Sequence, residues 1–215
     1  MICIYAFVMP LIMKVDRNSY IPYLLATLPL WMFISNCLSS STYALMSNAE
    51  TLKRCMISSS VFPVADVLKN AYSYITGFSA MGLVAILMGL NLSWHIVLVP
   101  IYFIPVLLTV MFLCVGISYI TPYIQDLRDA ITIAMNVLIW VSCVIFPIAN
   151  ISEKAQSYIR LNPLYMLLEP TITLVYLHEI PETYVALKML SVMVVTFFIG
   201  YFLFLIGRRN FVYYL

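Results

Sequence analysis

The sequence predicts an all-α integral membrane protein, built as one domain over residues 1–215. Hydrophobic residues make up 64% of the chain, charged residues only 9%, and the mean hydropathy is +1.01. Polar side chains are too few to cover a soluble domain of this composition. The apolar runs are long and lack the period-two alternation of barrel strands, so their backbone groups are expected to be bonded within helices.

Each long apolar run is interpreted as one spanning helix, because about 20 apolar residues cross the hydrocarbon core. Five full spans are predicted, at 20–46, 63–90, 96–120, 131–148 and 184–206. Residues 1–13 are apolar but too short to cross, and Lys14 follows them directly. A basic region before this run and a cleavage site after it are both missing, so it is not read as a signal peptide. We expect a partial or truncated first span, and a six-helix bundle in all.

Two polar segments separate the predicted spans. Residues 47–62 form a charged interruption between two apolar runs, which is expected to contact something soluble. Residues 150–182 are too long for a simple turn and too polar to span, so two short helices at 152–160 and 164–176 are predicted to dip into the outer face. Alternation of the spans puts 47–62 on the same side as the Arg208-Arg209 pair, and this basic side is interpreted as cytoplasmic.

Polar residues inside a predicted span are candidates for function, since they are costly in lipid. Asp66 and Lys69 are three residues apart on a helix, as for an interfacial ion pair or a contact with a partner. A stripe of polar and small residues continues from Asp66 through Asn70, and it fits either close helix packing or a channel lining. Tyr72 and Tyr74 lie deep, where a ring can stack on a sugar or simply pack.

The sequence argues against several other classes of protein. The net charge of +2 is spread thinly, so nucleic-acid binding is not expected. The five cysteines are isolated, without the paired spacing of a metal site. Motifs of hydrolases, zinc proteases and phosphate-binding loops are missing, so any ATP hydrolysis would belong to a separate chain.

Three segments, in order between the spans, resemble the membrane subunits of ABC-2 type exporters of lipid-linked polysaccharides such as O-antigen, capsule or teichoic acid. The first is Ser47-Asn48-Ala49 with Leu52-Lys53-Arg54 and Phe62-Pro63, which is similar to the family's coupling segment. The second is Gln125-Asp126-Leu127-Arg128-Asp129. The third joins Phe146-Pro147, Glu153-Lys154 and Leu161-Asn162-Pro163-Leu164 in a region that relatives fold into outer gate helices.

The resemblance implies a permease in the bacterial inner (cytoplasmic) membrane that works as a homodimer. A cytoplasmic ATPase subunit would carry ATP and magnesium, this chain would bind no cofactor, and an undecaprenyl-linked polysaccharide would be the cargo. The residues expected to couple to the ATPase are Asn48, Glu50, Lys53, Arg54, Asp126, Arg128 and Asp129. Those expected in the channel or gate are Asp66, Asn70, Tyr72, Tyr74, Asn162, Pro163, Tyr165 and Glu169.

Two other functions fit the sequence. One is an integral membrane enzyme of surface-glycan assembly, with Glu169 or His178 in the catalytic role. Such an enzyme usually needs several convergent ionisable groups, and the outer segment has few. The other is an ABC-2 exporter of a drug or a lipid, which would share the architecture and differ in cargo.

Overall fold

The computed structural model describes residues 17–54, 58–87, 89–90, 93–124 and 126–208, with side chains from residue 20 onward. Its helices are α1 (Arg17–Ser41), α2 (Ala49–Arg54), α3 (Val61–Leu87), α4 (Val99–Ile120), α5 (Leu127–Val141), α6 (Glu153–Ile159), α7 (Pro163–Ile172) and α8 (Thr183–Gly207). Within these ranges the regular structure is entirely helical, which confirms the predicted all-α membrane protein. The predicted partial span at 1–13 lies outside the described residues, as do Gln125 and Arg209.

Four helices in the described part of the chain are long and apolar enough to cross a membrane: Tyr20–Ser41, Val61–Leu87, Trp94–Ile120 and Thr183–Gly207. The third of these includes a short 3₁₀ turn, Trp94–Leu98, ahead of α4. Most of α1 is buried inside the protein, whereas only about a fifth of each of the other three is fully buried. The other helices therefore surround α1, which forms the centre of the bundle.

Helices α4 and α8 approach each other closely at glycines. A Cβ at Gly200 would lie 2.7 Å from the carbonyl carbon of Phe112, and one at Gly207 would lie 2.5 Å from the carbonyl oxygen of Tyr119. Neither position has room for a side chain. The tyrosines of this interface add bonds across it, since Tyr123 donates to the carbonyl of Gly207 at 2.9 Å. Small residues therefore fix these two helices side by side.

Two predicted spans end earlier than their apolar content suggests. Helix α1 stops at Ser41, where hydroxyls of the serine and threonine run bond back to carbonyls, as Ser41 does to Leu38 at 2.7 Å. Such bonds compete with helix continuation. Helix α5 stops at Val141, and Cys143 follows with a positive φ of 52°. Its 15 residues are about 22 Å long, less than the roughly 30 Å hydrocarbon core.

The chain after α5 contains the segment predicted to lie at the outer face, and we call residues 142–182 the outer region. The two short helices predicted there are confirmed as α6 and α7. Helix α7 begins at Pro163, whose fixed φ suits a first helical position. It continues into a π turn, Thr173–Leu177, and ends where His178 adopts the left-handed conformation with φ 59°.

Candidate functional site

The break after α5 exposes backbone carbonyls that α1 satisfies with side-chain hydroxyls. Tyr20 donates to the carbonyl of Ile145 at 2.5 Å and Thr27 to that of Val144 at 2.7 Å. The hydroxyl of Tyr23 lies against the carbonyls of both Cys143 and Phe146, the latter at 2.9 Å. We call this set of hydroxyls on α1, with the carbonyls of 143–146, the hydroxyl ladder.

The hydroxyl ladder allows irregular backbone to lie inside the protein. Cys143, Val144 and Ile145 are fully buried, so water cannot reach their carbonyls. A buried carbonyl without a partner costs about 1–3 kcal/mol. Broken helices occur within membrane proteins only where other groups satisfy the freed backbone. Three hydroxyls of α1 lie within hydrogen-bond reach of four consecutive carbonyls, so at most three of these carbonyls are bonded by the ladder at one time.

Sequence reasoning missed the role of the two tyrosines in the ladder. Tyr20 and Tyr23 both lie at the start of the predicted span 20–46, where aromatic residues are typical of the membrane interface, yet each is 1% exposed. Thr27 is also fully buried. The available signal was their spacing of three and four residues, which puts three hydroxyls on one face of a helix.

Side-chain contacts hold the outer region in place near its beginning and near its end. Asn162 donates from its amide to the hydroxyl of Ser142 at 3.0 Å, while its carbonyl oxygen accepts from the N–H of Leu164 at 3.0 Å. It therefore caps α7 and ties that helix to the end of α5. At the far end, the ring of Tyr176 meets the ring of Tyr23 edge-on, with centroids 5.3 Å apart.

Glu169 lies on α7 beside the outer end of α8. Its Oε2 is 4.0 Å from Nζ of Lys188, a distance too long for a direct hydrogen bond. Lys188 instead donates to the hydroxyl of Tyr184 at 2.9 Å. That carboxylate oxygen is buried and accepts no hydrogen bond from the residues placed here. Burial raises the pKa of Glu169 above its ordinary value of 4.5, and this outweighs the opposing effects of Lys188 and Arg160.

Of the other predicted outer residues, Tyr165 is buried one turn before Glu169, and Pro163 is exposed at the start of α7. Burial raises the pKa of Tyr165, and the nearby Glu169 carboxylate adds to the effect. The structure therefore brings Asn162, Tyr165 and Glu169 onto one short helix that packs against both α1 and α8.

The candidate channel residues on α3 divide into two groups. Asn70 and Tyr74 border a cavity of about 170 Å³ between α1 and α3, together with Asn36 of α1. Tyr74 stacks on Phe103 with centroids 4.3 Å apart, and its buried hydroxyl has no partner among the described residues. Tyr72, by contrast, is on the outside of the bundle and 70% exposed.

The ion pair predicted between Asp66 and Lys69 does not form. The salt bridges among the residues with described side chains are Glu50 to Arg54 and Glu169 to Lys188. Lys69 is exposed. An ion pair between exposed side chains on a helix stabilises a protein by less than about 1 kcal/mol, because two long side chains must be immobilised to form it. Asp66 and Lys69 would therefore gain little by pairing. Asp66 instead contributes its backbone carbonyl, which accepts from the amide of Asn70 at 2.9 Å.

On the predicted cytoplasmic side, α2 is a six-residue helix with no buried residue. Glu50 and Arg54 pair across one turn at 3.8 Å, and Lys53 is exposed beside them. Asn48 bonds back to the carbonyl of Ala44 at 2.8 Å, which shapes the turn before α2. An exposed charged helix held by a structured turn offers a surface to a soluble partner.

The second predicted coupling segment, at the start of α5, contacts the turn that leads into the first. The guanidinium of Arg128 is 4.0 Å from the ring centre of Tyr43, in the turn between α1 and α2. Asp126 and Asp129 are exposed next to it. The structure therefore joins the start of α5 to the turn before α2, although the two are far apart in the sequence, and it leaves the charges of both segments accessible.

Fold and geometry together define a polytopic helical membrane protein with a broken helix at one face and exposed charged segments at the other. No protein-family model matches the chain. It is 20% identical over 194 residues to the O-antigen export system permease protein RfbA of Myxococcus xanthus, a match covering 89% of this chain and 75% of that protein. Two proteins of the same name from Klebsiella pneumoniae are 21% and 22% identical over 163 residues.

The Klebsiella matches cover 75% of this chain and 62% of each relative, so the chain spans less than two thirds of the length of those proteins. All three relatives are named as transport permeases rather than enzymes. The similarity confirms the resemblance to polysaccharide exporter permeases that the sequence motifs indicate.

Proposed function

We propose that this chain is the membrane-spanning permease subunit of an ABC exporter in the bacterial inner membrane. Its cargo is a lipid-linked polysaccharide, with O-antigen favoured, and a separate ATPase subunit supplies the energy. The observation that carries the proposal is the exposed charged helix α2 between two spanning helices, in a chain similar to O-antigen export permeases along 75–89% of its length.

In this proposal, α2 and the start of α5 form one docking surface for the ATPase. The contact between Arg128 and Tyr43 supports this arrangement, because it holds the two segments together while their charges stay exposed. ATP and magnesium bind the ATPase, and this chain binds no cofactor. Two copies of the chain form the transport path, and no covalent chemistry takes place on either of them.

The outer region, with Asn162, Pro163, Tyr165 and Glu169, forms the gate on the other side of the membrane. Packing of α7 against α1 and α8 supports this role, since a movement of either spanning helix would reach α7 directly. The cavity beside Asn70 and Tyr74 is a candidate part of the path for sugar groups, because it combines amide and aromatic side chains.

Deletion of the gene in its host, with a tagged copy returned on a plasmid, tests the proposal. We expect the tagged protein to co-purify an ATPase, and the deletion strain to lose surface polysaccharide while lipid-linked glycan accumulates inside. The double variant Lys53→Glu, Arg54→Glu should lose the ATPase, whereas Lys154→Glu, an exposed charge in α6, should retain it. Normal surface glycan in the deletion strain, or no associated ATPase, would refute the proposal.

A further inference from the structure

We propose that Tyr23 and Thr27 are positioning residues that transmit movement of α1 to the outer region through the hydroxyl ladder. This inference rests on the proposed function, because the movement would originate where the ATPase docks. The movement would pass through the hydrogen bonds between side chains of α1 and the backbone carbonyls of residues 143–146.

Helix α1 extends from the candidate docking surface to the outer region. It is a continuous helix from Arg17 to Ser41, despite two internal prolines, and its 25 residues extend about 37 Å. Its inner end leads through a structured turn into α2. Its outer part carries the ladder hydroxyls. One buried helix therefore joins the candidate docking surface to the beginning of the outer region.

Tyr23 contacts the outer region near its beginning and near its end. Its hydroxyl lies against the carbonyls of Cys143 and Phe146, where the outer region starts. Its ring packs on Tyr176, in the π turn where α7 ends. A displacement of Tyr23 would therefore act on the outer region at two places at once.

The hydroxyl ladder has fewer donor protons than acceptor carbonyls. A hydroxyl carries one proton. Thr27 lies 2.7 Å from the carbonyl of Val144 and 3.0 Å from that of Tyr23 in its own helix. Tyr23 likewise has two carbonyls within reach. Each hydroxyl can release one carbonyl and still keep a partner, so the same side chains support two discrete arrangements, as transmission between distant sites requires.

Cys143 provides a native reporter for the test, because its thiol is fully buried within the ladder segment. The test uses the complex of full-length chain and ATPase in lipid nanodiscs, with Cys143 kept and the other cysteines replaced by alanine. The measured quantity is the rate of maleimide labelling at Cys143, with and without ATP. Export and ATP hydrolysis are measured on the same variants.

Tyr23→Phe keeps the ring and removes the hydroxyl, and Thr27→Val keeps the shape and removes the donor. Thr109→Val is the matched control, since Thr109 is a buried threonine of α4 whose hydroxyl bonds only within its own helix at 2.8 Å. Without ATP, we expect either ladder variant to raise the rate of Cys143 labelling about five- to tenfold. This is the change in the open population that the loss of one hydrogen bond, with its typical net contribution to stability, would cause. The control should leave the rate unchanged.

In the wild-type complex, ATP should change the labelling rate, and the ladder variants should abolish that change. They should also lose export while retaining ATP hydrolysis, because the ATPase would still dock. A purely structural role would instead lower assembled complex, hydrolysis and export in parallel, and that result overturns the inference. So does an ATP-independent labelling rate in the wild type. Failure of the proposed function is distinguishable, because the chain would then co-purify no ATPase, whereas the labelling difference between variants without ATP would persist.

Discussion

The guanidinium of Arg128 lies 4.0 Å from the centre of the Tyr43 ring, joining the start of α5 to the turn that precedes α2. Both side chains are exposed, so the contact is worth only about 0.5–1 kcal/mol. The contact contributes little to stability, but it sets the distance between the start of α5 and the turn that leads into α2.

Arg128→Gln should lower the free energy of unfolding by less than about 1 kcal/mol, because an exposed cation–π contact is weak. It should nevertheless reduce co-purification of the ATPase, because the two docking segments would no longer be held together. Titration of purified ATPase against the detergent-solubilised chain measures this affinity. Lys154→Gln, which removes an exposed positive charge in α6 outside the docking surface, is the control; equal loss for the two variants would contradict the prediction.

Asn162→Ala should destabilise the outer region, because it removes both the cap of α7 and the bond to Ser142. Loss of a cap costs about 0.5–2 kcal/mol. Asn162→Asp retains the capping oxygen and removes only the amide donor, so it separates the two contributions. Hydrogen exchange of the α7 amides measures local opening. Faster exchange in the alanine variant than in the aspartate variant is expected, and the reverse order would rule out capping as the main role.

Glu169 should make stability depend on pH with a particular sign. Burial raises its pKa, so the folded protein holds this proton more tightly than the unfolded chain. The stabilisation is complete below the ordinary value of 4.5 and is lost as the pH rises through the raised value. Lowering the pH from neutral toward 4.5 should therefore stabilise the wild type relative to Glu169→Gln. Thermal unfolding of both proteins in detergent over this range checks the sign; a constant difference would show that the carboxyl titrates normally.

Gly200→Ala should separate α4 from α8 and destabilise the protein by about 1–3 kcal/mol or more, the usual cost of overpacking. The reason is that the added methyl would overlap the backbone of Phe112. Gly77→Ala is the matched control, since a Cβ there would meet nothing within 4 Å. It should be neutral or stabilise by about 0.5–1 kcal/mol through helix propensity. Comparable unfolding temperatures for the two variants would exclude the close approach.

Apolar length alone predicted where the spanning helices lie but placed several of their ends incorrectly. The prediction for residues 131–148 continued α5 through Ser142 and Cys143, because those residues are as apolar or small as a span requires. The helix ends there through a positive φ at Cys143, stabilised by hydroxyls on α1. Such partners are about 120 residues away in the sequence, so no local window contains them.

In the candidate site, too, local sequence predicted some features, whereas others depend on the tertiary structure. Asn162-Pro163 was identifiable because a capping residue followed by proline is a local signal, and the structure has that cap. Asp66 and Lys69 were also suggested by local spacing, yet they do not pair. The roles of Tyr20 and Tyr23 depend on a backbone break formed elsewhere, and only the tertiary structure brings them together.

The π turn at Thr173–Leu177 has a consequence for the register of the chain. A π turn holds more residues per turn than an α turn, so successive side chains along it are rotated progressively relative to a continuous α-helix. Tyr176 lies inside this turn and meets the ring of Tyr23 edge-on. The number of residues in this stretch, independent of their chemical identity, therefore decides which side of the helix meets the centre of the bundle.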